Sequence, residues 1–275
     1  MNNFALRTLS GIAFLLIMLA GLLVNKFLFA GLVVLVLSLM LAEFYKMTMG
    51  DKYIFSRTLA ILASIILFSL EFVTCAYEVN PKIVSIAMLP ILIVMINSLY
   101  VKDKSDFGLF SNIYAGLFFI SIPLALLNLI AFNDGVFNGR LILCFFVIIW
   151  SSDVGAFTIG SLFGQKNGKK LFPSVSPKKS WIGVWGGMAF AVIAAVLMNL
   201  LGVMEYPIWH CIALTVLMVI AGVYGDLFES QWKRHYDIKD SGTIMPGHGG
   251  MLDRFDSALF AIPVGAVYLS LFNLL

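Results

Sequence analysis

Asp226, Ser230 and Lys233 fall at i, i+4 and i+7 of a helical stretch, so a carboxylate, a hydroxyl and an ammonium share one face. Glu229 stands four residues before Lys233, a favourable spacing for an ion pair. The chain continues through Arg234, Lys239 and Asp240 into Pro246-Gly247-His248-Gly249-Gly250, then Asp253-Arg254-Phe255-Asp256. Glycines 247, 249 and 250 permit positive φ and let backbone N–H groups approach an anion without a Cβ between them. A second polar stretch reads Ser174-Val175-Ser176-Pro177-Lys178-Lys179-Ser180-Trp181. Ser176 before a proline is expected to cap a helix whose first turn would hold Lys178 and Lys179. Cations there oppose the helix dipole, which makes sense if an anion binds them. Carboxylates for a divalent ion beside many cations for phosphates point to phosphoryl or nucleotidyl chemistry. Mg²⁺ commonly takes only one or two protein carboxylates and fills its shell with phosphate and water.

These residues are set among strongly apolar segments. Of 275 residues, 61% are hydrophobic and 12% charged, against about a quarter charged in soluble domains. A net charge of +3 is too small to argue for nucleic acid. A hydrocarbon core about 30 Å thick needs roughly 20 apolar helical residues. Nine segments qualify, near 9–25, 27–46, 55–77, 82–100, 110–132, 140–162, 180–203, 208–228 and 256–274. The expected fold is an all-α, polytopic membrane helical bundle of about nine transmembrane helices. It forms a single integral membrane domain, with a helical scaffold over about 1–135 and the chemistry over about 136–275. Nine spans place 15 of the 18 Lys and Arg on the N-terminal side, leaving Lys26, Lys82 and Arg140 opposite. By the positive-inside rule the N-terminus is cytoplasmic. The polar loops then face the cytoplasm, and the expected location is the cell inner (plasma) membrane. Arg7 and the apolar run after it are read as a retained first span, because no convincing signal-cleavage site follows. Glu43 is expected near the interface beside Lys46, and Glu71 inside its span. Cys75, Cys144 and Cys211 lie in apolar stretches without a pairing pattern and read as small buried hydrophobes. Asp153 and Asp226, both in spans, are costly there unless paired, hydrated or metal-bound.

Residues 230–256 resemble the signature of phosphatidate cytidylyltransferases, also called CDP-diacylglycerol synthases. Ser230, Lys233, Arg234, Lys239, Asp240, Pro246, His248, Gly249, Gly250, Asp253, Arg254 and Asp256 stand at the spacing of that signature. The resemblance extends to Ser152-Asp153, Gly155, Gly164 and Ser176-Pro177-Lys178-Lys179-Ser180-Trp181, and to the nine-span layout. It departs at Ile182, where the family usually has glutamate, so no role is carried there. It implies transfer of CMP from CTP to phosphatidate, giving CDP-diacylglycerol and pyrophosphate in phospholipid synthesis at the membrane. It also implies Asp226 and Asp253 as the main Mg²⁺ ligands, or those of another divalent ion, with Asp256 a lesser candidate. Lys233, Arg234, Lys239 and Arg254 become phosphate contacts, with Lys178 and Lys179 adding charge from the other loop. Ser176, Ser230, Asp240, His248, Gly249 and Gly250 become substrate-binding positions. A homodimer is compatible with so many small residues. Alternatives are the same transfer to a different phospholipid, and a transporter using Asp153 and Asp226 as ion-pathway residues. No repeat favours the transporter, and the polar residues gather at one face rather than the midplane.

Overall fold

A computed structural model describes residues 3–101, 104–164, 169–245, 247 and 249–275. His248, an expected phosphate contact, lies outside the described residues, as do Lys102, Lys166 and Pro246. Among the described residues, eight helical segments are long and apolar enough to cross a membrane, and Arg7–Leu23 adds a shorter apolar helix. The all-α membrane bundle is thus observed, and the chain is a multi-pass membrane protein. It divides into two compact units, Met1–Asn138 with Asp240–Arg254, and Gly139–Lys239 with Phe255–Leu275.

The first unit opens with helices α1 (Asn3–Leu23), α2 (Lys26–Met49) and α3 (Ile54–Tyr77). Asn25 caps α2, its Oδ1 accepting from the N–H groups of Phe27 and Leu28 at 3.0 and 2.9 Å. A 3₁₀ turn, Pro81–Ala87, leads into α4 (Met88–Ser98). The next span is broken into α5 (Phe110–Gly116), a π turn at Leu117–Ser121, α6 (Ile122–Ala125) and α7 (Leu127–Ala131). Strands β1 (Phe132–Asn133) and β2 (Val136–Phe137) close a tight hairpin in which Asp134 and Gly135 both have positive φ. An Asp-Gly pair suits that turn, because its left-handed backbone matches the strand twist. The core is built on α2, where Phe29, Leu37, Met40, Leu41, Phe44 and Tyr45 are fully buried. Tyr45 satisfies its hydroxyl by donating to the carbonyl of Ile113 at 3.1 Å.

The second unit holds α8 (Arg140–Phe163), the antiparallel strands β3 (Lys170–Phe172) and β4 (Ser176–Ser180), α9 (Trp181–Leu200) and α10 (Ile208–His235). A short turn, α11 (Leu252–Phe255), hands the chain back to this unit, which ends in α12 (Ala258–Leu271). Glycines set the approach of α8 to α9. A Cβ on Gly155 would lie 2.7 Å from the carbonyl oxygen of Gly186, and one on Gly187 the same distance from that of Ser152. Without a hydrophobic drive between helices in lipid, such close backbone packing is what holds them together. Gly222 and Gly225 admit the last helix in the same way, the second facing the carbonyl of Asp256. At 28 residues α10 is about 42 Å long, more than a bilayer core requires. Its final turns therefore extend the expected 208–228 span by seven residues.

Candidate active site

In the second unit the site is built outward from Asp226. Ser230, one turn later on α10, donates its hydroxyl to Asp226 Oδ1 at 3.2 Å. Asp226 Oδ2 is paired with the ammonium of Lys179. Both side chains of this pair are 27% exposed, so it is partly screened rather than sealed in. Lys233, expected on the same face, turns instead to Glu229 at 2.6 Å, and this pair is almost fully buried. The spacing argument for Glu229 and Lys233 holds, whereas the cation that reaches Asp226 comes from a different element.

That element is β4, and here the structure corrects the expected cap. Ser176 does not start a helix. It pairs with Phe172 across the hairpin, and Lys178 and Lys179 lie in extended backbone. The helix begins at Trp181, capped by Ser180, whose Oγ accepts the N–H of Gly183 at 3.2 Å. Ser180 serves better because an extended residue followed by Gly183 lets its hydroxyl meet that N–H at close range. The lysines therefore precede the helix rather than occupy its first turn. The inference of an anion from their opposition to the dipole falls with that placement.

Asp226, Lys178 and Lys179 line one cavity of about 350 Å³, together with Asp153, Ser152 and Ser257. Ser161 and Ser180 add two hydroxyls, and the rest of the wall is largely apolar, including Ile149, Phe157, Met218 and Val223. Asp256, the residue before Ser257, is within electrostatic reach of Asp226, Glu229 and Asp153, and its Oδ1 accepts the N–H of Ser257 at 2.6 Å. Arg234 is tied to backbone, donating to the carbonyls of Ile238 and Val175 at 3.1 and 3.5 Å. Lys239 is exposed at the end of the unit.

The glycine loop belongs to the first unit. Its N–H groups do meet an anion, and that anion is the chain's own carboxylate. Asp253 Oδ2 accepts from the backbone N–H of Ser241 at 2.9 Å, from Ser241 Oγ at 3.1 Å and from the N–H of Gly250 at 2.8 Å. Glu43 of α2 accepts from the N–H groups of Met251 and Leu252, each at 2.9 Å. Gly249 adopts φ +88° and bridges to Met245, while Asp240 and Arg254 are exposed. Glu43 is 7% exposed and stands one turn before Lys46 on α2. Its signal was an acidic residue in an apolar span, a mark of function by default. Its partners lie about two hundred residues away and carry no local sign of it.

A divalent ion implied by the sequence is tested by the donor set. Among the described residues, no three His, Cys, Asp or Glu side chains converge as ligands. Mg²⁺ does not need three, and Asp226 with Asp256 offers the hard oxygen donors it prefers. Asp226 already holds a cation, the Lys179 ammonium, so the position suits positive charge. The residues fit.

A family model described as the cytidylyltransferase family matches residues 5–272. The chain belongs to the cytidylyltransferase family. A phosphatidate cytidylyltransferase of Bacillus subtilis is 37% identical over 183 residues, covering 66% of this chain and 64% of that protein. One from Staphylococcus epidermidis is 42% identical over 125 residues, covering 46% of this chain and 47% of the relative. One from Staphylococcus haemolyticus is 41% identical over 132 residues, covering 48% of each chain. The matched stretches thus span between about half and just under two thirds of these relatives.

Proposed function

We propose that this cytidylyltransferase-family chain transfers CMP from CTP to phosphatidate, forming CDP-diacylglycerol and releasing pyrophosphate. The observation that carries the reading is the cavity of the second unit. Its polar part includes Lys178, Lys179 and Asp226, and most of its other lining is apolar, which suits a phosphate attached to an acyl-chain lipid. The names of the relatives support the same substrates.

An oxygen of the lipid phosphate attacks the α-phosphorus of CTP, and the bond from that phosphorus to the β-phosphate oxygen breaks. Both reactants are anions, so the first requirement is neutralisation. Lys178 and Lys179 supply cations at the cavity, and a phosphate oxygen entering there competes with Asp226 for the Lys179 ammonium. Asp226 and Asp256 would hold Mg²⁺, with Asp253 carried over from the family signature in the same role. When bound, Mg²⁺ supplies Lewis-acid stabilisation of phosphate charge. Ser230 orients Asp226 by its hydroxyl. No general base is required, because a phosphate monoester is already ionised near neutral pH. Arg234, Lys239 and Arg254 contribute positive charge for the nucleotide and pyrophosphate, whereas Lys233, a phosphate contact by the family signature, is held by Glu229 within α10. The distribution of basic residues supports a cytoplasmic N-terminus and an inner-membrane enzyme acting at the cytoplasmic face.

The test is pyrophosphate release by purified protein in phosphatidate micelles with Mg²⁺ and CTP, with ATP, GTP and UTP as controls. Release that requires both CTP and phosphatidate, and is lost in Asp226→Asn, is expected. Absence of release from folded protein, with phosphatidate and with other phospholipid acceptors, would overturn the reading.

A further inference from the structure

We infer that Glu43 is a positioning residue, the internal anion around which the loop Asp240–Arg254 is folded and through which Asp253 is held in place. The inference rests on the proposed function only for its kinetic arm. Glu43 is almost entirely buried in α2, between residues of the apolar core. A buried carboxylate is tolerated only when donors compensate its lost hydration. Among the described residues, the donors come from one distant loop. Oε1 accepts the N–H of Met251, and Oε2 accepts the N–H of Leu252 and lies 3.0 Å from Ser241 Oγ. Ser241 Oγ is also 3.1 Å from Asp253 Oδ2, so one hydroxyl proton serves two carboxylates.

The chain is shaped to admit this carboxylate. A Cβ on Gly242 would collide with Glu43 Oε1, and one on Gly250 would lie 2.5 Å from Oε2. Glycine at both positions is thus explained by the approach of Glu43, with no external ligand required. Flanking donors fix Asp253 from the other side, through the N–H groups of Ser241 and Gly250. The order of dependence runs from Glu43 to the loop backbone and Ser241, and from these to Asp253. Glu43 touches no reacting atom in this scheme.

Glu43→Gln keeps the shape of the side chain but turns one acceptor oxygen into an NH₂ group that faces donors. Hydrogen exchange read by mass spectrometry on the full-length protein in detergent should then show faster exchange across residues 241–252, with residues 54–77 unchanged. In the pyrophosphate assay kcat should fall on the order of tenfold or more, the effect expected when charged hydrogen bonds are lost. KM for phosphatidate should change less than threefold, because Glu43, Ser241 and Asp253 are not among the described residues that line the lipid cavity. Ser241→Ala removes only the shared hydroxyl, is compatible with folding, and should lower kcat by a smaller factor. Unchanged exchange in Glu43→Gln would overturn the inference whatever the enzyme's substrate proves to be. Faster exchange with wild-type kcat would show a loop anchor without a positioning role, which also overturns it. Should Glu43→Gln fail to fold, wild-type kcat in Ser241→Ala would break the link to Asp253 and do the same.

Discussion

At the residue scale, two ion pairs on neighbouring turns of α10 do different work. Lys179 with Asp226 is partly open and lies at the cavity, so it can be exchanged for a substrate phosphate. Lys233 with Glu229 is sealed, and removing one partner leaves an uncompensated buried charge. Lys233→Met should therefore lower stability by about 3 kcal/mol, read as a drop in thermal midpoint in detergent. Lys179→Met should leave the midpoint nearly unchanged and raise KM for CTP or phosphatidate instead. A stability loss in Lys179→Met equal to that in Lys233→Met would contradict this division. Asp226→Asn should reduce turnover by at least about a hundredfold, the order seen when a preorganised electrostatic group is removed. The in-helix pair of Glu229 and Lys233 was legible from spacing alone. The partner of Asp226 was not, because Lys179 belongs to another element and no periodicity links the two.

Elements explain what spacing could not. Ser176-Pro177 carries the local signs of a helix start, yet a hairpin won, with Ser176 paired to Phe172 and the true cap four residues later. Hairpin pairing is a contact between two short segments, and neither segment announces its mate. Ser180→Ala should cost about 1 kcal/mol and loosen the entry to α9, while Ser176→Ala should cost much less; thermal unfolding of the two variants distinguishes them. The seam between α8 and α9 is less forgiving. A side chain on Gly186 would overlap Ile159, so Gly186→Val should destabilise by about 1–3 kcal/mol or prevent insertion. Normal expression and thermal midpoint in that variant would show that the two helices do not need their close approach. The spans themselves were legible because bilayer thickness dictates their length and composition. The break of the fifth span into α5, α6 and α7 was not, since Pro123 is the one local sign of it and the π turn precedes that residue.

On the scale of the whole molecule, the sequence reading placed the chemistry in the last half of the chain and treated the first half as scaffold. Glu43 crosses that division: a carboxylate in the second helix accepts hydrogen bonds from a loop that begins at residue 240. Topology follows from charge. In a variant lacking the three native cysteines, Ser174→Cys in the exposed hairpin should react with a membrane-impermeant maleimide in inverted vesicles and not in intact cells. Labelling of intact cells would reverse the proposed orientation. The cavity has a practical corollary for anyone who handles the protein. A chamber with lysines at one part and a largely apolar lining elsewhere is expected to accept amphiphilic anions as a class. Alkyl sulfate and alkyl phosphate surfactants are therefore expected to behave as competitive inhibitors, whereas sugar-headed detergents of the same chain length spare the enzyme. Choice of solubilising agent would then set the apparent affinity for lipid, and alkyl phosphates become a starting chemotype for inhibitors.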